Sequence, residues 1–225
     1  MKYLIHCVFR PDENAPLVGF VSELLVVEGD GLAAAVTPWP EEEPPLNAIR
    51  LLAYEKAVAS IHATRAVIPL RFGCVVEGES EVRALIRERR AEYQQLLAQW
   101  EGYTEMGLRL WCGSRPRADF HADARGSSEA SQYLAALRGR CPGLTPAERQ
   151  CAARIAERMK GLYRGGREEA GPAANGRLVS LYFLVPRASV DDFRERARAI
   201  DLPPDMKLMV SGPWPPYNFA SPAPG

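Results

Sequence analysis

The spacing of apolar and polar positions divides this chain into short strands and amphipathic helices. Tyr3 to Phe9 is an unbroken apolar run of strand length, stopped by the turn cluster Arg10-Pro11-Asp12-Glu13-Asn14. Val18 to Glu28 contains a second strand. Gly29-Asp30-Gly31 predicts a hairpin turn into a third, Leu32 to Thr37, ended by Pro38-Trp39-Pro40. The acidic residues and prolines of Glu41 to Pro45 suit the positive end of a helix over Leu46 to His62. Its inward face is Leu46, Ile49, Ala53, Ala57 and Ile61. Val67 to Val76 is the most strand-like segment, and Pro69 puts it at an edge or a bulge. Alternation sets Phe72 and Cys74 on one face of that strand and Arg71 on the other. A helix over Glu79 to Trp100 follows, with Val82, Leu85, Ile86, Tyr93, Leu96 and Leu97 inward. Gly102 ends it, and Tyr103 to Cys112 reads as another strand.

The order βββαβαβ describes an α+β domain with helices on one face of a largely antiparallel sheet, a ferredoxin-like variant. Gly113 to Gly126 is polar and aperiodic. It serves as a linker (113–126) between a first domain, 1–112, and a second helical or α+β domain, 127–225. In the second, Ser128 to Arg138 and Thr145 to Tyr163 are predicted helices. Thr145 is the N-cap of the latter, with Pro146 in its first turn and Glu148 three residues after the cap. Its inward stripe is Ala152, Ile155, Met159 and Leu162. Gly165 to Pro172 reads as a flexible loop. Leu178 to Val185 is a strand closed by Pro186, Ser189 to Ile200 a helix, and Met206 to Val210 a strand. That order suggests a right-handed crossover with the two strands parallel. The last strand feeds Ser211-Gly212-Pro213-Trp214-Pro215-Pro216-Tyr217-Asn218-Phe219. Three prolines in four positions point to an extended, polyproline-II-like ribbon whose aromatics must dock, on the chain itself or on a partner.

Composition removes several function classes. The 225 residues are 47% hydrophobic and 25% charged with zero net charge, an ordinary soluble composition with no overall field for nucleic acid or membrane. Charge is uneven, however: residues 1–112 hold 11 Lys/Arg against 16 Asp/Glu, and residues 113–225 hold 17 against 12. No run reaches the roughly 18 apolar residues of a membrane span, and nothing suggests export. Five cysteines without a C-x-x-C pair argue against a disulfide framework and for the cytoplasm. His6, His62 and His121 form no metal-binding pattern, and no phosphate-cradling glycine motif is present, so no metal, cofactor or catalytic constellation is expected. Arg71-Phe72-Gly73 faintly resembles part of an RNA-binding consensus but lacks its flanking aromatics and sits in an acidic half, which argues against nucleic acid. Cys74 reads as a core thiol, although an enzyme using Cys74 with Arg71 is the alternative that the neighbouring guanidinium allows.

Two stretches exceed what a bland core requires: Val67-Ile68-Pro69-Leu70-Arg71-Phe72-Gly73, and the terminal Gly212-Pro213-Trp214-Pro215-Pro216-Tyr217-Asn218-Phe219. Together they resemble the gas vesicle accessory family GvpF/GvpL. Tyr54 and Cys74 depart from that pattern, in which His and Thr are usual. The resemblance implies two small α+β domains, the first a modified ferredoxin-like fold, and a non-enzymatic role. That role would be a minor vesicle component or assembly factor in the cytoplasm and on the gas vesicle. It would bind the hydrophobic shell protein GvpA and limit its aggregation during nucleation. A scaffold bridging other accessory proteins through the oppositely charged halves is the alternative. Arg71, Phe72, Trp214, Tyr217 and Phe219 are the candidate partner-binding residues, and packing of the tail on its own domains competes with that role.

Overall fold

The computed structural model describes residues 1–12, 24–40, 48–112, 144–173, 176–203 and 206–220. The predicted linker 113–126 and the predicted helix 128–138 lie outside them, as do 18–23 and Leu46. The chain is an α+β protein with two sheets. Its contacts divide it into unit 1, residues 1–105 with 214–225, and unit 2, residues 106–213.

In unit 1, β1 (Lys2–Phe9), β2 (Leu25–Gly29) and β3 (Leu32–Trp39) form an antiparallel array in the order β2-β3-β1. The β2–β3 turn is Asp30-Gly31, at φ of 55° and 77°. Both residues are left-handed, as a two-residue turn matching the strand twist requires. β3 continues through Pro38 to Trp39, two residues beyond the predicted end, because Lys2 and Tyr3 of β1 still pair with it there. α1 (Ala48–His62) buries Tyr54, Ala57, Val58, Ile61 and His62. Its first turns do not turn inward as predicted: Ile49 is 80% exposed, and Ala53 is exposed too.

The predicted strand Val67 to Val76 is broken in two. β4 (Val67–Pro69) and β5 (Val75–Glu77) both pair antiparallel with the same edge of β1, at Cys7–Phe9 and Lys2–Leu4 respectively. Helix 79–100 is also divided, into α2 (Glu79–Glu88) and α3 (Arg90–Trp100), with Arg89 at the break. The inward stripe survives the division: Val82, Ile86, Tyr93 and Leu97 are buried. The core facing α1 joins Leu4, Cys7, Phe9, Ala33 and Ala35 to Tyr54, Val58 and Ile61.

Unit 2 is built on β6 (Tyr103–Cys112), β7 (Gly165–Ala173), β8 (Gly176–Pro186) and β9 (Met206–Trp214), in the order β7-β8-β6-β9. The strand and helix periods both show in its core. Met106, Leu108 and Leu110 alternate along β6, as Val179, Leu181, Phe183 and Val185 do along β8. They pack against Ala152, Ile155 and Met159 of the α4 region (helix Pro146–Arg158) and against Phe193 of α5 (Val190–Arg198). Thr145 and Glu148 form the expected reciprocal cap of α4, and Arg177 adds a bidentate pair to the buried Glu148 carboxylate at 2.6 and 3.1 Å. The predicted loop 165–172 is instead the strand β7, paired with β8 from Gly165 against Leu184 onward. Glycines and charges suit this position, since β7 is an edge strand and such residues discourage further pairing. β8 and β9 are not neighbours, because β6 lies between them.

Candidate functional site

The two irregularities of unit 1 fall at one level of β1. On one edge, the β1–β3 register shifts between Ile5 and Cys7, which makes His6 a bulge residue. On the other edge, the Ile5 amide donates to the Cys74 carbonyl (2.8 Å) and the Leu70 amide to the His6 carbonyl (3.0 Å), and Arg71, Phe72 and Gly73 lie between these two bonds. They leave the sheet as a turn closed by the Cys74 amide on the Arg71 carbonyl at 3.3 Å, with Gly73 at φ 92°. Positive φ at the third turn position explains the glycine of the R-F-G triplet. Within the turn Arg71 is exposed and Phe72 is half-buried against α1, so the two still differ in burial as the alternation predicts.

Tyr54 of α1 fixes this arrangement. Its hydroxyl donates to the Leu70 carbonyl at 2.8 Å, with the His6 and Ile5 carbonyls at 3.1 and 3.2 Å. The Tyr54 ring stacks on His6 (4.7 Å between centroids) and meets Phe72 edge-on at 5.2 Å. Phe72 in turn meets Trp39 edge-on at 6.0 Å, and the Arg50 guanidinium stands 5.8 Å over the Trp39 ring. The result is a groove of about 210 Å³ walled by Trp39, Phe72, Tyr54, Ala53 and Pro38, with His6 in its lining. Burial pushes the His6 pKa down to about 4, so the ring is neutral near pH 7. Its Nε2 lies 3.0 Å from Thr37 Oγ1, and the nearby Tyr54 backbone opposes the shift without meeting hydrogen-bond geometry at Nδ1. Burial likewise raises the Tyr54 hydroxyl and the Cys74 thiol. A raised thiol pKa is the wrong direction for a nucleophile.

The aromatic-proline run is not one extended ribbon. Pro213 and Trp214 end β9, an edge strand where a missing N–H is tolerated. Pro216 then caps a single helical turn, α6 (Tyr217–Ala220), by accepting from the Phe219 and Ala220 amides. Prolines fit the start of a helix because its first amides have no intrahelical acceptor. The segment from Trp214 onward lies on unit 1. Thr104 Oγ1 donates to the Trp214 carbonyl at 2.9 Å and therefore accepts from His62 Nε2 at 3.3 Å. The buried Glu105 carboxylate receives both the Asn218 amide (2.9 Å) and Asn218 Nδ2 (2.6 Å). Pro215 and Pro216 are buried, and Tyr217 packs on the same apolar cluster as Phe72. Trp214 is 45% exposed, and Phe219 is half-buried.

The structure thus brings Phe72, Arg71 and Tyr217 to one region of unit 1 and turns Trp214 outward. Sequence reasoning missed His6, Trp39, Arg50 and Glu105. The departure at Tyr54 was visible, but its three carbonyl neighbours were not. Unit 2 holds a larger cavity, about 540 Å³, along α4, floored by Ile155, Leu202 and Met206 and rimmed by Arg154, Arg158 and Asp201. Charges of both signs give it no preference for one ligand class. Among the described residues no group of three or more His, Cys, Asp or Glu could hold a metal, and no helix is long and apolar enough to cross a membrane.

The family described as gas vesicle synthesis protein GvpL/GvpF matches residues 2–221. Gas vesicle protein F of Streptomyces sp. (strain CB03234) is 29% identical over 213 residues, 87% of this chain and 86% of its own length. Gas vesicle protein L of the same organism is 25% identical, over 96% of this chain and 91% of its own. Two crystal structures share the fold. GvpF from Anabaena sp. PCC7120 has a TM-score of 0.66 at 20% identity and 99% coverage of both chains. GvpF from Microcystis aeruginosa has 0.69 at 15% identity, covering 98% of this chain and 99% of its own.

Proposed function

The chain belongs to the gas vesicle synthesis protein GvpL/GvpF family, and from that premise we propose that it binds the hydrophobic shell protein GvpA and limits its aggregation during nucleation. It acts as an assembly factor or minor vesicle component in the cytoplasm and on the vesicle, and not as an enzyme. The observation that carries this reading is exposed apolar surface where a water-facing helix has no structural use for it. On α1, Ile49 is 80%, Leu52 63% and Leu51 38% exposed. Covering such surface against the apolar face of another protein is favourable at about 25 cal/mol per Å².

Co-expression of a tagged form with the shell protein tests it. The expected result is shell protein held in the soluble fraction and eluting with the tag. Identical pelleting with and without the protein, and no association in soluble or nascent-vesicle fractions, would overturn it.

A further inference from the structure

We propose that the outer face of α1 is a helix-docking seam on which an amphipathic α-helix of the shell protein packs. The inference rests on the shell-binding reading and adds the shape of the contact and the chemistry it selects. The other helices of the chain supply the contrast. α2 turns Glu79, Glu81, Arg83 and Arg87 to solvent, and α5 turns Asp191, Asp192, Glu195 and Arg196. Charged outer faces of this kind are the rule for a helix at the surface of a globular protein. α1 packs on β1 and β4 through the side that carries Tyr54, Val58 and Ile61. Its opposite side carries Ile49, Leu52, Lys56, Ala59 and Ala63, all of them exposed, and Lys56 is the one charge among them.

Spacing selects the shape of the occupant. These five positions are separated by three and four residues in alternation, the spacing along which one helix seats its side chains between those of another. Ala63 still belongs to the series, because its amide donates to the Ala59 carbonyl at 2.9 Å. The seam is thus roughly 21 Å long at about 1.5 Å per residue. Ile49 and Leu52 offer bulk at one end, and the alanines let a second helix approach closely at the other. Lys56 selects against a second copy of this chain. It is the midpoint of the seam, so two copies joined along its whole length would bring the two Lys56 side chains together. A single polar residue in such a seam fixes partner and register at a cost in stability. The partner helix therefore carries an apolar stripe of the same spacing and no Lys or Arg at the position that faces Lys56.

The test is capture of co-expressed shell protein by the full chain and by four variants, with a melting curve and light scattering for each. Leu52→Glu and Ala59→Arg place charge and bulk on the seam with residues that form helix well. Lys56→Leu removes its charge, and Glu195→Lys changes an exposed charge of α5. Wild type and Glu195→Lys should capture alike. Leu52→Glu and Ala59→Arg should each lose capture about tenfold or more, as removal of an anchoring contact does. Neither should melt appreciably earlier than wild type, since both positions face away from the core. An earlier melt of either would show that the chain itself covers the face and overturns the seam. Lys56→Leu should self-associate where wild type does not. Undiminished capture by Leu52→Glu and Ala59→Arg overturns the seam while leaving the shell-binding reading intact. Loss at Leu52→Glu with none at Ala59→Arg overturns the helical occupant, because the contact is then too short for one. Wild-type self-association that Leu52→Glu abolishes makes a second copy the occupant and overturns the partner helix. A monomeric Lys56→Leu overturns the selecting role of Lys56. Failure of the wild type to capture overturns the shell-binding reading itself.

Discussion

Tyr217 buries a phenol hydroxyl that has no hydrogen-bond partner among the described residues, and burial raises its pKa. Removing that oxygen removes an unmet desolvation cost, so Tyr217→Phe should be neutral or stabilising by up to about 1 kcal/mol. Tyr217→Ala, which takes the ring out of the cluster, should cost about 2–4 kcal/mol. Trp214→Ala should cost less than Tyr217→Ala, since Trp214 is 45% exposed. Thermal melts of the three variants rank them directly, and a larger loss at Trp214 would show that the tail is held otherwise. His6 makes a pH prediction. Its folded pKa of about 4 lies below the ordinary 6.5, so between those values the unfolded state binds the extra proton. Stability is therefore complete above pH 6.5 and falls by about 3 kcal/mol as pH drops to 4. Denaturant titrations at pH 7 and pH 4.5 should show the loss, and His6→Gln should reduce it. Cys74, with its raised pKa, should react with a thiol reagent near pH 7 more slowly than in the unfolded chain.

At the scale of elements, the broken strand around Arg71 is the instructive case. Alternation fitted Val67 to Val76 as one strand because the apolar residues of β4 and β5 keep the same period. Only the pairing of both with one edge of β1 shows that three residues leave the ladder. Gly73 is the hinge: a Cβ there has open space, yet φ of 92° disfavours any L side chain. Gly73→Ala should thus destabilise by about 1–2 kcal/mol through the backbone alone, measured as a lower denaturant midpoint. The α4 cap was legible because Thr145 and Glu148 are three residues apart on one chain, and such local geometry follows from sequence. The β7 strand was not legible. Its glycines and charges carry no apolar period, and only its pairing with β8 makes it a strand.

At the scale of the molecule, the chain leaves unit 1 after Glu105 and returns to it at Trp214. The return is held by Asn218 on Glu105, by Thr104 on the Trp214 carbonyl, and by Tyr217 in the core. Glu105 is 3% exposed, and Asn218→Ala would take a short side-chain donor from a buried charge. We expect a cost of about 1–3 kcal/mol and a melting temperature lower by several degrees. A chain ending at Pro213 would lose all three contacts, and unit 1 should then open at lower denaturant than in the full chain.

The sequence by itself determined the local features: strand and helix periods, the Thr145 cap, the hairpin at Asp30-Gly31, and the two motifs of the family. Each depends on residues a few positions apart, where backbone geometry leaves little choice. Tertiary structure alone decided that Arg71-Phe72-Gly73 would leave the sheet opposite a bulged His6. It also decided that the buried Glu105 carboxylate would hold Asn218, and that the terminal aromatics would split between core and surface. Those outcomes depend on contacts between residues as much as 113 positions apart. No local period encodes such pairs; they form only when burying a common core brings distant segments together.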